Sequence, residues 1–304
     1  MHQIAYLMSR DMLPGQPDTR PDFGLHGKQF GPLRGACAAR GIDLVETVWD
    51  EPGIEGRGFD GFVVGTVWDY VKRPEEFIAA LRRIERVAPL WNNAATIIWN
   101  TQKRYLIDLE RAGARLVPTL WRERADETTI RAAFDELDCE RIVVKPEVGA
   151  GAWRQVLITR GETLPPADQL PPSRTMIQPF IESIETEGEY SLLYFGRAFS
   201  HAVQKLPKAG EYRIQAMYGG TDRGHTPSEA ELAAAQRVID AVPGELLYAR
   251  VDMVRAADGG LILMELELIE PYLYPVQDDD FATRFAAALH TLLAKKTIHL
   301  TAIG

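Results

Sequence analysis

Two β-rich runs, Leu247 to Arg255 and Leu261 to Leu268, flank Asp258-Gly259-Gly260. Such a step between strands is a hairpin signal, and it fixes which residues face one another. A pivot near Asp258 sets Asp252 beside Glu265, and Glu267 shares the face of Glu265 because strand side chains alternate. Three carboxylates then converge on one surface. Unit charges about 4 Å apart repel by about 4 kcal/mol at an effective dielectric of about 20, so the cluster is costly unless cations sit in it. All-oxygen ligands of this kind suit Mg²⁺ bridging to a phosphate. A solvated strand face fits the same pattern, and the rest of the chain decides between the two.

The first third alternates strand and helix. Ile4 to Met8 reads as a buried strand, Gly27 to Arg40 as a helix stopped at Gly41, Ile42 to Val48 as a strand and Gly61 to Trp68 as another. Pro74 opens a helix with Phe77, Ile78, Leu81 and Ile84 on one face. This alternation predicts a parallel α/β lobe ending near Asn93. The remainder mixes the two types. Helices are expected over Gln102 to Ala112 and Thr128 to Leu137, and strands over Leu116 to Thr119, Arg141 to Lys145, Val156 to Thr159 and Thr175 to Pro179. Leu164 to Ser173, with four prolines at 165, 166, 171 and 172, reads as an exposed connector. Gly196-Arg197 looks like a turn between Tyr190 to Phe195 and Ala198 to Lys205. Ser228 with Glu231 forms a capping box for a helix to about Ala241, and a last helix spans about Phe281 to Ala294. The expected fold class is therefore α/β, with α+β character in the C-terminal half.

Several chemistries are excluded by what the chain lacks. Lys plus Arg number 34 against 43 Asp plus Glu, a net charge of -9, the wrong sign for a nonspecific nucleic-acid or anionic-membrane binder. Cys37 and Cys139 supply neither a disulfide framework nor a cysteine zinc site, which fits a reducing compartment. No signal-peptide core and no membrane-spanning run is seen, so the expected location is the cytoplasm. Gly56 to Gly61 matches G-x-G-x-x-G but precedes a strand instead of following one. A P-loop and a G-x-S-x-G elbow are absent, and the histidines are never paired at helical spacing. Asp278, Asp279 and Asp280 stand before an amphipathic helix, where carboxylates cap free N–H groups.

Two further segments carry chemistry. Arg141 to Lys145 is a strand ending in a lysine, with Gly149-Ala150-Gly151 just behind it, an arrangement that can set an ammonium and backbone N–H groups around phosphates. Met176 to Ile181 is an apolar strand broken at Pro179, a linker whose backbone can read an adenine edge.

At this point the sequence resembles the ATP-grasp superfamily. The motifs occur in its order: Lys103 after Trp99-Asn100, Val144-Lys145-Pro146 with its glycine loop, Gln178-Pro179-Phe180, Gly188-Glu189-Tyr190-Ser191, Gly219-Gly220, Asp252, then Glu265-Leu266-Glu267. The likeness covers about residues 93 to 275. Within the superfamily, Trp91-Asn92-Asn93, Val117-Pro118-Thr119 and Glu265 to Pro271 look most like the RimK and glutathione synthetase-like group that includes the cycloserine-forming O-ureido-serine cyclo-ligase.

The resemblance implies an N-terminal substrate lobe over 1–93, a lid subdomain over 94–180 and a C-terminal subdomain with the metal site over 181–304. It implies that Lys103 and Lys145 hold ATP phosphates, that Gly149 and Gly151 belong to the lid loop, that Gln178, Pro179, Phe180 and Ile181 contact adenine, and that Glu189 meets the ribose. Lys205 and Arg213 would lie near the transferred phosphoryl group. Asp252, Glu265 and Glu267 would hold two Mg²⁺ ions, with Mn²⁺ able to substitute; the superfamily commonly has Asn where this chain has Glu267. The implied activity is ADP-forming ligation of a small carboxylate to an amine through an acylphosphate, intramolecular ring closure included. A small-molecule kinase and a non-catalytic nucleotide-binding module are the alternatives. Small-molecule partners are expected, with no nucleic acid and no membrane, and a homodimer is left open. Trp68-Asp69-Tyr70, Tyr272 and Tyr274 are candidates for the substrate pocket, core packing being the alternative for Trp68.

Overall fold

The computed structural model describes residues 1–149, 151, 153–208, 210–211, 213–214 and 219–301, with side chains to 295. Ile4 to Met8 are all buried, as a strand covered on both faces requires. This strand, β1 (His2–Met8), leads into α1 (Gly24–Ala38), β2 (Ile42–Val48), β3 (Gly61–Val64), α2 (Pro74–Glu85) and β4 (Leu90–Trp91). The four strands form a parallel sheet in the order β2-β1-β3-β4. α2 buries Phe77, Ala80, Leu81 and Ile84, and Ile78 is only half-buried.

β3 stops at Val64, short of the expected Trp68. Gly65 is pressed against Tyr6, where a Cβ would lie 2.1 Å from the ring. Past it the chain leaves the sheet, and the Thr66 carbonyl accepts from both the Ser9 amide and the Ser9 hydroxyl. The G-x-G-x-x-G segment runs into the start of β3, the context that denies it a dinucleotide role.

α3 (Ala94–Asn100) is capped by Asn93, whose side chain accepts from the Thr96 amide, and α4 (Tyr105–Arg111) follows. The helix expected over Gln102 to Ala112 is α4, which starts three residues later, and α3 before it was not expected. The strand expected over Leu116 to Thr119 forms later, as β5 (Leu120–Arg122). Leu116 makes a single bridge to Leu263, and Pro118 has no N–H for a ladder, so the segment works as a connector. α5 (Glu127–Glu136), β6 (Arg141–Pro146), β7 (Val156–Thr159) and β8 (Thr175–Pro179) complete an antiparallel sheet in the order β5-β8-β6-β7. The proline-rich connector between β7 and β8 has no regular structure, but Leu170 and Pro171 are buried and tie it down.

A third sheet holds the C-terminal part. After α6 (Ser183–Thr186) come β9 (Glu189–Phe195), β10 (Ala198–Leu206), the polar β11 (Thr221–His225), α7 (Glu229–Ala241), β12 (Tyr248–Arg255), β13 (Leu261–Glu267) and α8 (Phe281–Thr301). The antiparallel order is β11-β10-β9-β12-β13. Gly196 and Arg197, both at positive φ, make the tight turn between β9 and β10, and Ser228 with Glu231 forms the capping box of α7. Asp278 and Asp280 precede α8 and pair with its Arg284 at 2.7 and 3.7 Å. Among the described residues no helix is long and apolar enough to cross a membrane.

β13 ends its sheet, yet its outer edge is satisfied. Asn100 donates to the Leu266 carbonyl and accepts from the Leu268 amide, both at 2.9 Å, and the Tyr105 hydroxyl accepts from the Leu266 amide at 2.9 Å. Asn92 likewise bridges Tyr248, Leu268 and Leu247. These side chains imitate the peptide groups of a neighbouring strand.

Candidate active site

The hairpin pairs Asp252 with Glu265 and Arg250 with Glu267. An irregularity between Asp252 and Met253 leaves Met264 without an opposite residue, a β-bulge that shifts the alternation of β13 by one. Leu261 and Leu263 before it, and Leu266 and Leu268 after it, face one core; Ile262 faces the other. Glu265 and Glu267 are thereby turned to the side of Ile262, toward the β6–β8 sheet. A regular hairpin would have driven Glu265 into the apolar core.

On that side Asp252 is buried and accepts from Arg250 Nη2 at 2.8 Å, Arg250 Nε at 3.0 Å and the Ser191 hydroxyl, with Lys205 Nζ 3.4 Å away. Burial opposes its charge, but Arg250 and Lys205 overcome that and hold the carboxyl down at about 2. Lys205 also pairs with Glu189 across the β9–β10 ladder. Arg250 reaches Glu267 as well, donates to the Tyr272 carbonyl at 3.3 Å and lies over the Tyr274 ring. Burial, with Asp252 and Glu265 nearby, pushes the Glu267 carboxyl up to about 7 despite Arg250. Glu270 is held well above the carboxylate range by burial and by Glu267 and Glu265.

The second sheet brings its lysine to the same place. Val143 packs on Val254 and Ile262, and Lys145, two residues on, shares its face. Burial lowers the Lys145 ammonium to about 8; Glu265 counters this and Lys103 adds to it. Lys103, on the turn between α3 and α4, donates to Glu265 at 2.7 Å and to the Gly149 carbonyl at 2.9 Å, tying the glycine loop to β13. Gly149 and Gly151 both have positive φ. Ala150 and Ala152 of the expected lid loop lie outside the described residues.

Gln178 lies opposite Val143, on the cleft-facing side of its sheet, and donates to the Thr119 hydroxyl at 2.8 Å. Phe180 is buried beside Val143, with the Arg141 guanidinium over its ring, and Ile181 packs at the same contact. Pro179 and Ile181 also line a cleft of about 500 Å³ with Arg115, Pro118, Ala256 and Ile262. Arg213 pairs with Glu211 at 2.6 Å. Gly219 is described, whereas the 215–218 segment before it is not.

The structure therefore joins Lys103, Lys145, Glu189, Lys205, Asp252, Glu265 and Glu267 in one network of opposite charges. Among the described residues no three carboxylate or imidazole groups sit within common reach of one ion, because each carboxylate leans toward a protein cation instead. Arg250 was given no role from sequence, and Ser191 and Asn100 were quoted only within motifs, without one. Arg250 was findable, being two residues before Asp252 on the same strand face; the Asn100 bonds span 166 and 168 residues and left no local signal.

The fold is that of the ATP-grasp carbon–nitrogen ligases, a class of ATP-dependent enzymes. The solved ATP-grasp ligase PsnB, complexed with its minimal precursor, Mg and ADP, superposes with a TM-score of 0.64 at 15% identity, over 96% of this chain and 98% of that one. The more particular likeness is to D-cycloserine synthetase. Residues 4–92 match the family described as D-cycloserine synthetase DcsG, N-terminal domain. The cycloserine biosynthesis protein DcsG of Streptomyces lavendulae is 28% identical over 274 residues, 85% of this chain and 91% of that protein. The crystal structure of D-cycloserine synthetase DcsG matches with a TM-score of 0.81 at 26% identity, covering 96% of this chain and 99% of that one.

Proposed function

We propose that the enzyme activates a small amino-acid-like carboxylate as an acylphosphate and closes an amide onto it, with the nucleophile on the same molecule. The observation that carries this is the buried charge network: Asp252, Arg250, Lys205 and Glu189 are all withdrawn from solvent at one sheet end, where buried ions stabilise a fold poorly. The likeness to D-cycloserine synthetase supports ring closure as the form of the ligation.

A carboxylate resists nucleophiles because its charge must be overcome and oxide leaves poorly; phosphorylation removes both obstacles. In this reading Lys103 and Lys145 hold the phosphates of ATP, Gln178 to Ile181 take the adenine and Glu189 the ribose. Lys205, Arg213 and Arg250 neutralise charge on the transferred phosphoryl group and on the oxyanion that follows. The donor chemistry of Asp252, Glu265 and Glu267 fits Mg²⁺, and the Glu267 carboxyl at about 7 is one that a divalent cation would help to ionise. When bound, Mg²⁺, two ions or Mn²⁺ in its place, supplies further neutralisation of phosphate oxygens. Gly149 and Gly151 let the lid loop exclude water from the acylphosphate. The 1–93 lobe presents the acid, the 94–180 part forms the lid and 181–304 carries the metal ligands.

The test is ADP release with ATP and Mg²⁺ across amino acids, O-ureido-serine and short peptides, with and without hydroxylamine, and with Glu265→Ala as control. Acid-dependent ADP release, hydroxamate formation and loss of both in the variant are expected, with a cyclic product for an intramolecular ligation. An acid-stable phosphorylated product would instead make the enzyme a kinase, and nucleotide binding without turnover would make it a binding module.

A further inference from the structure

Among the described residues, Glu189, Asp252, Glu265 and Glu267 each pair with a cation of this chain, whereas Glu270 makes no such pair and feels Arg250 and Lys103 only from a distance. Lys103 takes Glu265, Arg250 takes Asp252 and Glu267, and Lys205 takes Glu189. Among the described residues no hydrogen bond or ion pair reaches the Glu270 carboxylate, which is half-buried.

Its position is a seam between two parts of the fold. The Glu270 carbonyl accepts from the Trp68 indole at 3.0 Å, and Trp68 meets the Tyr272 ring edge-on at 6.5 Å. Tyr272 in turn stands 5.2 Å from Tyr274, whose ring Arg250 covers. Glu270 bears more strongly on the Tyr70 phenol than Glu267 or Glu265 does. Trp68 and Tyr70 follow the C-terminal end of β3, the edge at which open α/β sheets hold ligands. A lone carboxylate beside aromatic rings can receive an ammonium group: the oxygens accept its N–H groups, and the Tyr272 ring adds attraction, while Arg20 already lies over the Trp68 ring at 5.4 Å.

We propose that Glu270, walled by Trp68 and Tyr272, receives the ammonium group of an amino-acid substrate whose carboxylate is turned toward Lys205 and Arg250. The proposal rests on the ligase reading above and narrows its substrate class to free amino acids. A desamino acid leaves Glu270 unpaired beside Glu267, and an N-acylated one removes the positive charge that Glu270 would meet. Glu270 is thus a specificity-determining residue that touches substrate away from the reacting carboxylate.

The experiment measures ADP release by the enzyme with ATP, Mg²⁺ and hydroxylamine, which displaces phosphate from the acylphosphate where the acid carries no nucleophile of its own. Alanine, serine and O-ureido-serine, in both enantiomers, are compared with their desamino counterparts for wild type, Glu270→Gln and Glu270→Asp. Wild type is expected to prefer the amino acid. Glu270→Gln is expected to lower kcat/KM for it about ten- to hundredfold, mainly through KM, while the desamino acid and the KM for ATP stay within about twofold. Glu270→Asp, which keeps the charge, is expected to restore part of the preference. A preference that survives in Glu270→Gln, or an equal loss for both kinds of acid, overturns the ammonium assignment and leaves the ligase standing. A wild type that releases no ADP with any member of the panel overturns the ligase reading and this assignment with it.

Discussion

Lys205→Met removes a buried cation that serves two buried carboxylates while keeping most of its volume. The Lys205 side chain is 7% exposed, against 12% for Glu189 and 4% for Asp252. At the 3.4 Å separation from Asp252, the attraction is about 5 kcal/mol at an effective dielectric of about 20, before desolvation is subtracted. Breaking such a pair from one side costs about 3–5 kcal/mol, because the partner stays buried and charged. For a chain of this size that lowers Tm by about 6–10 °C. The loss has a pH signature. Burial already raises the Glu189 carboxyl, and without Lys205 it rises further. A folded-state pKa above the unfolded one contributes stability that is fully present below the unfolded value and is lost as pH rises through the folded value. The variant's deficit is therefore expected to be full at pH about 8 and smaller at pH about 5, where Glu189 contributes less and the share of Asp252, still ionised, remains. Thermal unfolding at both pH values, followed by circular dichroism and tryptophan fluorescence, measures it. A deficit under about 1 kcal/mol, the range of an exposed ion pair, or one equal at the two pH values would refute the reasoning.

Three other outcomes follow from the geometry. Lys145, lowered to about 8 chiefly by burial, loses its charge as pH rises through that value, so kcat/KM for ATP is expected to fall above it, and Lys145→Arg to carry activity to higher pH. Asn100→Ala leaves the Leu266 carbonyl and Leu268 amide without partners, costing about 2–4 kcal/mol, and hydrogen exchange in β13 is expected to quicken more than in β9. Gly188→Ala would place a Cβ 1.8 Å from the Lys205 carbonyl oxygen at a φ of +75°, so a loss of about 3 kcal/mol or more in urea unfolding is expected, where an unchanged midpoint would contradict the contact.

What could be read from the sequence was local. The Asp258-Gly259-Gly260 turn is a short-range signal that located the hairpin, but the register beside it leads to Asp252 opposite Met264, and the bulge moves Glu265 into that place; the Ser228 capping box and the Gly196-Arg197 turn are local signals of the same kind. The bulge at Met264 was not legible, because no glycine or proline marks it, although it alone turns both glutamates toward the lysines. β11 was missed because its residues are polar and mostly exposed, so no apolar alternation announces it. Leu116 to Thr119 has strand composition but finds no ladder; its partner, Leu263, is supplied by another sheet. The convergence of Lys103, Lys145 and Glu265 depends on how two sheets meet, and only the resemblance of motif order pointed to it.

The asparagine clasp on β13 also governs what this sheet can join. A terminal strand with free peptide groups is a template for a strand from another molecule, and here that strand carries Glu265 and Glu267. With Asn100, Asn92 and Tyr105 occupying those groups, a foreign strand meets no open donors or acceptors along Leu266 to Leu268. The sheet stops at five strands, and just past its end the Glu270 carbonyl accepts from the Trp68 indole. Self-association, where it occurs, is directed to other surfaces, and crowding or partial unfolding is expected to recruit this edge into fibrillar contacts only after the clasp has opened.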